Sequence, residues 1–154
     1  MNGQPYRSCC GTPIHSEHIP ECIHFKAVRH PHVDMVNHPP HYTSHPSGIE
    51  AIEFMRCLSY DVGAATKYVE RYELKGTAKQ DLEKAAWYLR DALACDDPVW
   101  LSLKHREIAR PVLERRMSYE SGLRYPYYAA LLDNNLDECL FEVQSMHQLL
   151  GDVQ

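Results

Sequence analysis

The chain has 154 residues, 44% of them hydrophobic and 24% charged, with a formal net charge of −5. That balance suits one ordinary folded domain, or a small domain with extensions at both ends, and excludes a disordered chain. The acidic total argues against coating a nucleic acid backbone, which needs a basic surface, and no apolar stretch approaches the roughly 20 residues that cross a bilayer.

Met1 to Pro13 lacks the apolar segment of a secretory signal, so the expected location is the cytoplasm. In that compartment the six cysteines are expected as free thiols or metal ligands rather than disulfides.

Residues 1–35 show little helical or strand periodicity and are interrupted by Pro5, Pro13, Pro20 and Pro31. Cys10, His15, His18 and Cys22 offer the thiolate and imidazole ligands that tetrahedral Zn²⁺ takes, which makes a structural zinc site one reading. Their spacing is irregular and contains no Cys-x-x-Cys pair. The other reading is a flexible arm rich in Cys and His.

Residues 36–95 carry the clearest pattern. The opening His38-Pro39-Pro40-His41 is not helical, because proline disfavours the α conformation in the residue before it. After Ser47-Gly48, the spacing of Ile49, Ile52, Met55 and Leu58 predicts a first helix with those residues inward. A second helix is predicted from Asp61 as N-cap, burying Val62, Ala65, Val69 and Tyr72 and ending at Lys75-Gly76. Thr77-x-x-Gln80 resembles a capping box for a third helix that turns Leu82, Ala85, Ala86 and Leu89 inward.

Residues 96–154 read as a helical C-terminal extension. Asp97-Pro98 predicts a helix start, and Pro111 is expected to kink or end that helix. Asn135-x-x-Glu138 opens a last helix with Leu136, Leu140, Val143, His147 and Leu150 along one side and Gly151 at its end. Apolar stripes of this kind pack a core or a second subunit, and a homo-oligomer is expected. With no strand pattern, the expected fold class is mainly α: a small helical domain between an irregular Cys/His-rich arm and the C-terminal extension.

Chemistry concentrates in the middle region. On a helical wheel, Gly63, Ala64, Lys67, Arg71 and Lys75 fall on one arc away from the apolar stripe. The two small residues leave room for a ligand, and the three cations suit a phosphate. A solvated basic face is the competing reading.

On the third helix Asp81, Lys84 and Tyr88 lie at i, i+3 and i+7 beside the apolar stripe, where side chains line a groove between helices. Trp87 is either a base-stacking ring or, the favoured reading, a core residue. Glu50 and Glu53 supply carboxylates for a divalent metal or a base, or simply favour their helix N-terminus. His38 and His41 are candidates for proton transfer or metal binding, and His45 reads as a packing residue. No P-loop, nucleophile elbow or His-Glu-x-x-His segment is present, so phosphate chemistry here must use side chains on helices.

An ordered string of residues carries a resemblance: Asn37-His38-Pro39, His41-Tyr42, Gly48-Ile49-Glu50, Gly63, Lys67-Tyr68, Arg71, Lys75-Gly76, Asp81-Leu82, Lys84-Ala85 and Trp87-Tyr88-Leu89. Over residues 36–93 this is similar to a nucleotide kinase-related family of tailed phages. One member, from a short-tailed coliphage, phosphorylates deoxynucleoside monophosphates without a P-loop and forms a large oligomer.

The resemblance implies a nucleotide-binding bacteriophage protein, acting in the host cytoplasm as a transferase on a deoxynucleoside monophosphate and ATP. It implies Lys67, Arg71, Asp81 and Lys84 in catalysis and His38, His41, Tyr42, Glu50, Tyr68, Lys75 and Tyr88 in substrate binding. Glu50 and Asp81 would meet Mg²⁺. The family's Asn after the glycine is Ala64 here.

Three other functions fit the same residues. One is a sponge that sequesters a nucleotide without turnover. Another is an all-α nucleotide pyrophosphohydrolase, disfavoured because its carboxylates would have to cluster, whereas here they are scattered among cations. The last is an interaction protein acting through its terminal helices.

Overall fold

The computed structural model describes residues 45–151, all within one compact unit. The expectations for the Cys/His arm and for the zinc ligands Cys10, His15, His18 and Cys22 lie outside the described residues. What is described is mainly helical.

The first helix, α1, is a single turn, Ile52–Met55. Of the predicted inward stripe of Ile49, Ile52, Met55 and Leu58, Leu58 is buried and Met55 packs half-buried against the core, but Ile52 is not inward. Phe54 is the residue α1 buries, joined by Ala51, Cys57 and Leu58, while Ile52 is 50% exposed. The helix stops at Met55 because the next residues pair elsewhere. Leu58 bridges Trp100 in antiparallel fashion, the Ser59 N–H donates to the Val99 carbonyl, and the Leu101 N–H donates to the Cys57 carbonyl.

Helix α2 spans Tyr60–Arg71 with Ser59, not Asp61, as N-cap. Asp61 lies inside the first turn, the end of a helix at which the dipole favours a negative charge. Val62, Ala65, Val69 and Tyr72 are buried, as the spacing predicts. The turn beyond α2 contains Gly76 at φ +68°, a left-handed conformation that glycine adopts without a Cβ clash.

Helix α3, Ala78–Ala94, comes next with Thr77 as N-cap, although the Thr77 side chain makes no capping bond. Leu82, Ala85, Ala86 and Leu89 are buried as predicted.

Asp97-Pro98 does not start a helix. The segment is non-helical and carries Val99 and Trp100 into the core, and the Trp100 indole N–H donates to the Leu131 carbonyl at 3.0 Å. Helix α4, Leu103–Met117, begins after Ser102, whose hydroxyl accepts from the His105 N–H. Pro111 does not end α4. Both Pro111 and Glu107, whose carbonyl loses its intrahelical donor, are exposed, so water can take that bond.

Helices α5, Arg124–Leu132, and α6, Leu136–Gly151, complete the described chain. Asn135 Oδ1 caps α6 by accepting from the Glu138 N–H. The inward face of α6 is Cys139, Val143 and Met146, with Leu136, Leu140 and His147 half-buried at its edges and Leu150 exposed. The stripe is rotated from the predicted one because α6 rests on α3 and α5 together.

Neighbours pack in sequence: α2 on α3, α3 on α6, α6 on α5, α5 on α4, and α4 on α1. Residues before and after position 95 therefore share one hydrophobic core. Among the described residues no helix is long and apolar enough to cross a membrane.

Candidate functional site

Helices α2 and α3 run antiparallel, so the outward edge of one meets the outward edge of the other. Their apolar stripes are buried against each other, and this fixes the polar flank of both helices in register. Along that flank Tyr68 stacks on Tyr88 with ring centroids 5.9 Å apart and planes 20° from parallel. Three cations converge on Tyr68. Lys67 Nζ and Arg71 Cζ each lie 4.6 Å from its ring centroid, and Lys84 Nζ lies 5.7 Å away.

Arg71 also holds Asp81 through two parallel bonds, Nε to Oδ2 at 3.1 Å and Nη2 to Oδ1 at 2.9 Å. Asp81 is buried while Arg71 keeps partial exposure, so the pair locks the guanidinium in place from the core side. Among the described residues no carboxylate is ion-paired with Lys67 or Lys84.

The candidate residues Lys67, Tyr68, Arg71, Asp81, Lys84 and Tyr88 are thus brought together. Lys75 stands exposed in the turn after α2, beyond this cluster. Glu50 is half-buried before α1, with its backbone N–H donating to Glu53 Oε1. His38, His41 and Tyr42 lie outside the described residues.

Gly63 does not offer open room for a ligand. A Cβ there would sit 3.6 Å from the Met55 carbonyl oxygen and 3.9 Å from Leu58 Cβ, facing the protein's own chain. Trp87 is corrected from the core to the surface. It is 57% exposed and meets Tyr88 edge-on at 4.9 Å. Tyr60, 80% exposed, approaches the same Tyr88 ring edge-on at 6.5 Å. The sequence pattern missed Tyr60 because it placed the N-cap of the second helix at Asp61, two residues too late. Burial, together with the neighbouring Tyr60, Tyr68 and Asp61, raises the Tyr88 phenol pKa, so it remains a hydrogen-bond donor at neutral pH.

A residue set that the sequence did not reveal supports this face from behind. Glu70, one position before Arg71, is buried and accepts from Arg116 Nη2 and the Tyr128 hydroxyl. Arg116 Nη1 donates to the Ile49 carbonyl, so one guanidinium ties the 49–50 backbone to α2. A second tie runs from His45 Nε2 to Glu120 Oε1 at 2.9 Å, and Glu120 is in turn bonded by Arg124 Nε at 3.1 Å. His45 is therefore an anchoring residue.

The fit to Mg²⁺ can be judged from the donors present. Both Asp81 oxygens already accept from Arg71, and among the described residues no group of three or more His, Cys, Asp or Glu stands close enough to hold a metal ion. The described residues do not form a metal cage. The polarity of the α2/α3 face suits an anion instead. An acidic hollow lined by Asp96, Asp97, Asp133 and Asp137 lies past the C-terminal end of α3 and would repel one.

A protein-family model described as a protein of unknown function (DUF3310) matches residues 36–90, the stretch that includes α1, α2 and most of α3. No curated protein and no solved structure matches the chain.

Proposed function

We propose that the α2/α3 face binds the phosphate of a nucleotide, and that the chain acts as a P-loop-less deoxynucleoside monophosphate kinase with ATP as donor. One observation carries the binding half. The Lys67 and Lys84 ammonium groups are held around Tyr68, beside a fixed Arg71, with no carboxylate pairing either lysine among the described residues. Such a cluster of donors neutralises phosphate charge, and phosphoryl transfer depends mostly on positioning and neutralisation. The transfer half rests on the resemblance to the phage family. No step is assigned to a protein-held metal, and Mg²⁺ belongs to the assay as the partner of ATP.

The test incubates the full chain with each deoxynucleoside monophosphate, ATP and Mg²⁺, separates the products, and repeats the assay with Lys67→Ala and Lys84→Ala. A diphosphate product that falls at least about tenfold in each variant is expected, since a charge-assisted bond contributes on the order of 1.5–3 kcal/mol. Product formed equally well by both variants would remove this face from the reaction.

A second reading, binding without turnover, is favoured by the occupied Asp81 carboxylate and by Ala64 in place of the family's Asn. It predicts nucleotide binding that both lysine variants weaken, with no diphosphate formed.

A further inference from the structure

Aromatic rings gather at one end of the same face. Trp87 and Tyr60 each meet Tyr88 edge-on, and both are largely exposed. Single exposed aromatics are common, but three adjoining rings contributed by two helices form a patch. The core does not require Trp87. The chain's other tryptophan, Trp100, is buried with its indole N–H bonded to the Leu131 carbonyl.

Position along the helices separates this patch from the cations. Tyr60 precedes Lys67 by seven residues on α2, a rise of about 10 Å, and Trp87 lies three residues after Lys84 on α3, a rise of about 4.5 Å. Because the helices are antiparallel, both aromatics lie toward the same end and both lysines toward the other. A ligand with an aromatic ring at one end and an anionic group at the other can therefore meet both parts of the face.

We propose that Trp87 and Tyr60 form a stacking platform for the nucleobase of a nucleoside monophosphate whose phosphate lies at Lys67 and Lys84. The inference rests on the phosphate reading of this face and adds the base subsite to it. Aromatic stacking accepts any base, because every base presents a π face, so this half of the site supplies affinity while discriminating little between bases.

The test measures equilibrium binding of the full chain to each deoxynucleoside monophosphate and to 2-deoxyribose 5-phosphate, which keeps the phosphate and lacks the base. The native chain is expected to prefer the nucleotides by about tenfold or more. Nucleotides, but not the sugar phosphate, should quench the Trp87 fluorescence. In Trp87→Ala the preference should collapse toward unity, and in Tyr60→Ala it should shrink severalfold. Both side chains are exposed, so an unchanged helical circular dichroism signal is expected to accompany the loss.

Equal binding of nucleotide and sugar phosphate by the native chain, or a preference that survives both substitutions, overturns the base platform and leaves the phosphate reading standing. An unchanged preference together with dissociation of an oligomer in Trp87→Ala would assign the rings to contact between copies and also overturns it. Failure of either ligand to bind the native chain removes the phosphate reading and the platform with it.

Discussion

Replacing Arg116 by methionine keeps much of the stem volume and removes the guanidinium. Arg116 is 2% exposed and Glu70 is 3% exposed, so this ion pair is out of water. In the variant the Glu70 carboxylate keeps the Tyr128 hydroxyl as its remaining side-chain donor, and the Ile49 carbonyl loses the Arg116 donor. Removing one partner of a buried pair costs about 3–5 kcal/mol, and an unsatisfied carbonyl adds about 1–3 kcal/mol. Among the described residues Arg116 Nε has no hydrogen-bond partner, so its removal gives a little back.

A net loss of about 4–7 kcal/mol is expected for Arg116→Met. That is a large share of the roughly 5–15 kcal/mol that holds a typical domain together. The assay is urea unfolding monitored by circular dichroism on Arg116→Met, Glu70→Leu and the double variant. Taking out both charges leaves no uncompensated ion, so the double variant should recover about half of the single-variant loss. A loss below about 1 kcal/mol for Arg116→Met, or a double variant that costs the full sum of the singles, would refute the account of a desolvated, mutually dependent pair.

Local geometry gives two further expected outcomes. Burial and the nearby Arg116 hold the His45 pKa below its usual value, with Glu120 opposing them. The unfolded chain therefore takes up this proton first as pH falls. The stability from neutral His45 is present above about pH 6.5 and is lost as pH drops through the lower folded value. The urea midpoint of the native chain should fall further between about pH 7.5 and about pH 5 than that of His45→Gln, and equal falls would remove His45 from the titration. At the α2–α3 turn, Gly76→Ala should cost about 1 kcal/mol from its positive φ alone, since no atom lies within 4 Å of the added Cβ. Gly63→Ala, inside α2 and with only ordinary contacts, should stabilise by up to about 1 kcal/mol, so thermal midpoints moving in the same direction for both would contradict the assignment.

The inward faces of α2 and α3 were legible in the sequence because a period of 3.6 residues places Val62, Ala65, Val69 and Tyr72, and then Leu82, Ala85, Ala86 and Leu89, on single stripes. The turn at Gly76 was legible because only glycine adopts that conformation cheaply. The cations and carboxylate of the candidate face were identified by the same wheel, since residues sharing a stripe edge must also share a groove edge.

Periodicity says which side chains travel together, not which face acquires a neighbour. Trp87 reads as core by composition, yet it sits outside because α2 and α6 cover the other sides of α3. The α6 stripe was rotated toward Cys139 and Met146 for the same reason, and α1 was cut short by the pairing of residues 57–59 with 99–101. The meeting of Glu70 with Arg116 and Tyr128 spans 46 and 58 positions of sequence, a closure that no local pattern encodes. The amino-acid order by itself determined the inward stripes of α2 and α3 and the chemistry along their edges. Only tertiary packing decided which edges face each other, because burial is a property of two surfaces in contact.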